Sequence, residues 1–276
     1  MGRWLGKACH GRSDSGRPTL AVGCSAAHVF RMAGRVLIGT SGFVYPHWRK
    51  GVFYPRGLPQ KQELEYFASK LRTVELNSPF YRLPEREAFV RWRQRTPTSF
   101  CFAVKASRYI THIKRLRDCG DSVVTFFQRA RGLGKKLGPV LFQIPPNMRV
   151  DVGRLDAFLD LLRGRERCVL EVRHPSWLVD EVHQVLKRHR VAFCLAVGGS
   201  LELEEVVVTA PFAYVRMHSG AGSGGNFTKR QLKTWAGRVG DLRNQGTDVY
   251  VYFNNDWEGH AVRDAMALEE LLGLEH

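Results

Sequence analysis

The chain lacks the sequence marks of several common chemistries. Its six cysteines, Cys9, Cys24, Cys101, Cys119, Cys168 and Cys194, form no C-x-x-C pair, which argues against a zinc ribbon or a redox dithiol. Three of them fall in apolar runs. That is the pattern of buried thiols in a reducing compartment, not of a disulfide framework. There is no H-x-H or H-E-x-x-H metal signature and no G-x-S-x-G nucleophile elbow. Gly39-Thr40-Ser41-Gly42 follows an apolar run but lacks the G-x-G-x-x-G spacing of a dinucleotide turn. No apolar run approaches the roughly 18 residues that a membrane helix needs. Acidic residues are scarce: 26 Asp and Glu against 42 Lys and Arg give a net charge of +16. Such a charge favours polyanions and anionic metabolites as partners.

What is present is a chain of 276 residues with 44% hydrophobic and 25% charged residues, the balance of a globular protein. Residues 1–34 stand apart. They hold five cations against Asp14 alone and show no apolar period. The stretch has some features of a transit peptide, but it reads best as a disordered or non-native extension, with Met32 available as an internal start. From residue 35 onward, short apolar runs alternate with amphipathic stretches. Strands are expected at 36–40, 73–77, 100–105, 139–143, 168–173, 192–197, 213–218 and 248–254. Helices are expected between and after them, with Asp121, Asp151 and Thr228 as N-caps and a capping box at Thr228–Gln231. Only a weak helix, near 201–207, separates strands six and seven. Eight strands and their helices over about 240 residues predict an α/β fold, a single-domain (β/α)8 TIM-type barrel over residues 35–276.

In such a barrel, function lies at the C-terminal ends of the strands. Side chains two apart on a strand share a face, so the phase of each strand tells which residues point inward. Val249, Val251 and Phe253 are apolar and should face the helices; Tyr250, Tyr252 and Asn254 should then face the axis, with Asp256 following in phase. The same reasoning directs Glu75 and Asn77, Lys105, Gln143, Glu171 and Arg173, and Tyr214, Arg216 and His218 inward. Six of eight strands thus end in ionisable or amide groups on one face. Lys105, Arg173 and Arg216 supply three cations suited to phosphate or carboxylate. Glu75, Glu171 and His218 are the candidate proton-transfer groups. A plainer reading pairs the two Glu with the two Arg as a self-neutralising network, which still leaves Lys105 in excess. Glu75, Glu171, His174, His218 and Asp256 include metal-ligand types, but the neighbouring arginines would repel a cation, so neither metal nor cofactor is expected. Loop aromatics, among them Tyr81 and Trp177, either stack a ligand or cover the barrel top.

Six motifs resemble one family. IGTSGFVYPHW (38–48), VELNSPFYRLP (74–84), FAVKASRYITHIKRL (102–116), GPVLFQIPP (138–146), LEVRHPSW (170–177) and VYVYFNND (249–256) are similar to the YecE-like proteins, the domain-of-unknown-function family 72. The resemblance covers residues 36–272. It implies a TIM-type barrel and supplies no reaction. The family's recurrent residues fall here on Glu75, Asn77, Lys105, Gln143, Glu171, Arg173, His174, Arg216, His218, Asn254, Asn255 and Asp256. Two positions depart from the resemblance: Val197 stands where Asp is frequent, and Phe227 where Tyr is frequent. A relative that uses that Asp would differ in activity from this chain.

Together these features predict a cytoplasmic enzyme acting on a small phosphorylated or carboxylated substrate by acid–base chemistry. Glu75, Glu171 and His218 are its candidate catalytic groups. Asn77, Tyr81, Lys105, Gln143, Arg173, His174, Trp177, Arg216, Asn254, Asn255 and Asp256 are its candidate binding groups. A nucleic-acid-binding protein and a non-catalytic sensing barrel are the alternatives. No membrane partner is expected, and the oligomeric state is not legible.

Overall fold

The computed structural model describes residues 32–199, 201 and 205–274. Eight parallel strands close into a barrel in sequence order. They are β1 (Val36–Ser41), β2 (Thr73–Leu76), β3 (Cys101–Lys105), β4 (Leu137–Gln143), β5 (Cys168–Glu171), β6 (Ala192–Val197), β7 (Phe212–Met217) and β8 (Asp248–Phe253), with β8 pairing back onto β1. The helices are α1 (Glu63–Ala68), α2 (Ser78–Tyr81), α3 (Arg86–Gln94), α4 (Gly120–Ala130), α5 (Val152–Asp160), α6 (Asp180–His189), α7 (Lys229–Asn244) and α8 (His260–Leu271). This is the single-domain (β/α)8 barrel that the alternation predicts. One crossover departs from it: among the described residues no helix joins β6 to β7. The weak helix expected near 201–207 falls partly on residues 202–204, outside the described ones. Residues 1–31 of the expected extension also lie outside them.

The helix starts follow local chemistry. Asp151 accepts a hydrogen bond from the backbone N–H of Arg154 at 2.9 Å and opens α5. Thr228 and Gln231 form the full reciprocal capping box at the head of α7. Asp121, expected as a cap, instead lies inside the first turn of α4, which Cys119 precedes without a side-chain bond. Its carboxylate there still opposes the positive end of the helix dipole.

Strand phase divides the apolar core in two. Val74, Phe102, Val104, Leu170, Val215 and Val251 face outward and pack beneath the helices. Leu37, Ala103, Leu141, Val169, Cys194 and the rings of Tyr214, Tyr250 and Tyr252 fill the axis. Each inner tyrosine hydroxyl has a fixed partner: Arg167 for Tyr250 at 2.8 Å, Thr73 for Tyr252 at 2.7 Å and Glu75 for Tyr214 at 2.6 Å. These bonds satisfy the only polar atom of an otherwise apolar ring. The four described cysteines are buried and unbridged, and among the described residues no helix is long and apolar enough to cross a membrane.

Gly39 makes room for the seam between β1 and β2. It pairs with Thr73, and a Cβ there would lie 2.0 Å from the Thr73 backbone oxygen. Backbone cannot give way as a flexible side chain does, so Gly39→Ala is expected to cost about 3 kcal/mol or more. Urea unfolding of the variant checks this. A loss below ~1 kcal/mol would show that the seam is looser than described.

Candidate functional site

The charged strand tips converge on one buried guanidinium. Arg216, on the inner face of β7, is 1% exposed. Its Nη1 donates to Glu171 Oε2 on β5 at 2.8 Å, and its Nη2 donates to Glu75 Oε1 on β2 at 2.7 Å and to Ser41 Oγ on β1 at 2.9 Å. One side chain therefore ties β7 to β1, β2 and β5 across the axis. Ser41 Oγ also donates to Glu75 Oε1, and Tyr214 donates to Glu75 Oε2. Above this layer, Arg173 Nη2 lies 2.6 Å from Glu171 Oε1. His218 Nε2 lies 3.1 Å from the same oxygen and 3.1 Å from Arg173 Nη2. Asn254 Nδ2 faces His218 Nδ1 at 3.2 Å. An amide that donates to Nδ1 leaves the ring proton on Nε2, directed at Glu171.

Burial alone would protonate the carboxylates, but their partners outweigh it. Burial raises the Glu75 carboxyl, and Arg216 with the Ser41 and Tyr214 hydroxyls brings it below the ordinary 4.5. Burial likewise opposes ionisation of Glu171, and Arg216, His218 and Arg173 pull it well below that range. Burial lowers His218 despite Glu171, which keeps the imidazole neutral at pH 7. Two carboxylates and two guanidiniums thus neutralise one another.

Lys105, at the tip of β3, is the exception. Among the described residues no carboxylate lies within ion-pair distance of its Nζ, which sits 4.0 Å from the centre of the Phe80 ring. Burial, then repulsion from Arg216, lowers its pKa to about 8. It leaves the basin with one positive charge below that pH.

The other expected binding residues divide into two groups. Asn77 donates to Ser41 Oγ at 2.9 Å and keeps its own buried Oδ1 without a partner. Half-buried Gln143 pairs in register with Glu171. Tyr81 is exposed at the rim. Asp256 is partly exposed there; its backbone oxygen accepts from the Trp48 indole at 2.7 Å. The remaining three lie outside the cluster. His174 closes a local turn through Ser176. Asn255 is bonded to Asp264 and Gly225. Trp177 is fully buried, with its indole N–H on Met148 O, and offers nothing to a ligand. Val197 packs against the outer core, and Phe227 is buried against Phe253. Sequence reasoning missed Ser41 because β1 was expected to end at residue 40; one more residue of the Leu37–Gly39 phase would have found it.

A second feature lies beside the basin, in the loops after β3 and β4. A concavity of about 650 Å3 is lined by Lys114, Arg115, Arg117, Arg149 and Arg154 against the single carboxylate of Asp151. Arg115 is held by two bonds to Asn147. Arg115, Leu116 and Asp118 all adopt left-handed φ, at 51°, 67° and 43°. Three such non-glycine residues in one loop store strain that the surrounding packing must hold.

The family model described as "Protein of unknown function DUF72" matches residues 37–276. UPF0759 protein YecE of Escherichia coli K12 is 33% identical over 156 residues, 55% of this chain. The match spans about half of that relative, 54% of its length. UPF0759 protein YunF of Bacillus subtilis is 25% identical across 81% of this chain and 91% of its own. Among solved structures, a DUF72 family protein of Thermotoga maritima superposes with a TM-score of 0.76 at 28% identity, covering 87% of this chain and 99% of that one.

The Glu75–Arg216–Glu171 arrangement yields a stability prediction. Removing one partner strands a buried charge, so Arg216→Met is expected to cost about 3–5 kcal/mol. Both carboxyls titrate lower folded than unfolded. Their stabilisation is therefore complete above the ordinary 4.5 and declines as pH falls below it. Thermal unfolding of Glu171→Gln should start from a lower midpoint and show a shallower acid slope. An unchanged acid slope would refute the pairing.

Proposed function

The chain belongs to the DUF72 family, and from its own residues we propose that it binds a small phosphorylated or carboxylated anion at the barrel top. The observation that carries this reading is Lys105. It is a half-buried ammonium without a carboxylate, set in a basin whose other charges cancel. An anion there gains a charge-assisted bond and relieves an unpaired cation. Arg173, 18% exposed in its side chain, adds a second donor group. Arg216 is too deeply enclosed to touch a ligand and holds the floor. In this reading Glu75 and Glu171 orient the cations rather than carry protons, because their oxygens are already taken by Arg216, Arg173, Ser41, Tyr214 and His218. His218 is the proton-transfer candidate, with Asn254 and Glu171 fixing its ring. The acid–base chemistry it would serve is hydrolysis, elimination or isomerisation.

A second reading is favoured by the groove after β3 and β4. Five cations beside half-exposed Tyr109 and exposed Ile113 suit the backbone of a single-stranded nucleic acid.

Titration calorimetry with sulfate tests the first reading, since sulfate keeps one charge state across the range. Affinity should be highest below pH 8 and fall as Lys105 deprotonates above it. Lys105→Met should weaken binding about 10–100-fold, the worth of one bond to a charged group. Retained affinity in this variant would refute the assignment. For the second reading, oligonucleotide affinity should fall steeply with salt, and Arg115→Ala with Arg149→Ala should reduce the log–log slope by about 1–2. A flat salt profile excludes it.

A further inference from the structure

We propose that Lys105 is a covalent catalytic residue: its Nζ condenses with the carbonyl carbon of an aldehyde or ketone that also bears the anionic group held in the basin. This rests on the anion reading above and goes further by fixing the substrate class.

The geometry separates Lys105 from a second lysine that the fold screens. Lys136 is also half-buried, but its ammonium donates to Arg93 O and Thr96 O, both at 2.6 Å, and to Thr96 Oγ1 at 3.1 Å. All three of its donors have acceptors, so it is fixed as a structural cation. Among the described residues Lys105 meets an aromatic face in place of acceptors. A phenyl ring attracts an ammonium through its face but offers no lone pair to take its protons. Burial at the strand tip and repulsion from Arg216 both disfavour the charged form, the arrangement by which an amine is made nucleophilic near neutral pH. Placement agrees with this, since the tip of a barrel strand is where reacting groups of this fold lie.

The step balances without a co-reactant. The ammonium gives one proton to solvent, and the free Nζ pair attacks the carbonyl carbon. A C–N bond forms as the π pair moves to oxygen, giving a carbinolamine. Protonation of its hydroxyl releases water and leaves a protonated imine, so one positive charge is conserved from start to finish. That cation then acts as an electron sink for the adjacent carbon, and Arg173 holds the anionic end. His218, neutral and oriented by Asn254, moves a proton at that carbon by exchanging its Nδ1 bond to Asn254 for one to the substrate.

The test is reductive trapping on the full chain at pH 7.5–8. Pyruvate supplies a carboxylate probe and dihydroxyacetone phosphate a phosphate probe. After borohydride reduction, intact mass and peptide mapping should place one adduct on Lys105, about tenfold or more above any other lysine, since a lower amine pKa raises the neutral fraction. Excess sulfate should suppress it, and Lys105→Arg should abolish it. If wild-type protein binds sulfate but gives no adduct at Lys105, the covalent step is refuted and the anion reading stands. If sulfate neither binds nor competes, the anion reading fails and this proposal fails with it.

Discussion

One guanidinium sets the shape of this barrel's interior. Arg216 runs across the axis and is held by carboxylates from two other strands. A charge so enclosed is tolerated only when each face of it meets an opposite charge or a hydrogen-bond acceptor. The sequence supplies those partners by strand phase. Ser41 and Glu75 stand at one register level on β1 and β2, and Glu171 stands level with Gln143 on β4 and β5. Small residues along the staves, Gly39, Ala103, Cys194 and Ala196, leave the volume that the long side chain and the tyrosine rings occupy. The site is thus a consequence of how the core is filled, not an addition to it.

The barrel was legible because its evidence is periodic. Eight apolar runs separated by helical stretches leave few architectures, and a two-residue period assigns faces without coordinates. Inward placement of Tyr250 and Tyr252 followed from Val249, Val251 and Phe253 being apolar. Pairing was less legible. Phase says that Glu75, Glu171 and Arg216 share the interior, but which oxygen meets which nitrogen depends on axial height and rotamer. Short turns mislead for a related reason. His174 and Trp177 lie within a few residues of Glu171, yet a 3-10 turn at Pro175–Trp177 carries the indole down into the outer core. Beyond a strand's end the two-residue rule no longer applies.

Lys105 contrasts with the rest of the cluster. The arginines and glutamates gain by being together, whereas Lys105 is held where its charge is disfavoured. Between pH 8 and its ordinary 10.5 the unfolded chain binds more protons at this position than the folded one. Folding is therefore opposed by this group at neutral pH and relieved as pH rises. Sites commonly retain such a cost where a ligand or a reaction recovers it.

The doubly bridged arginine also constrains how this chain can change over generations. Any single exchange at Glu75, Glu171 or Arg216 passes through a state with a stranded charge, while a joint exchange to apolar residues need not be unstable. The three positions are therefore locked by epistasis. The floor is expected to tolerate joint substitution better than any single one.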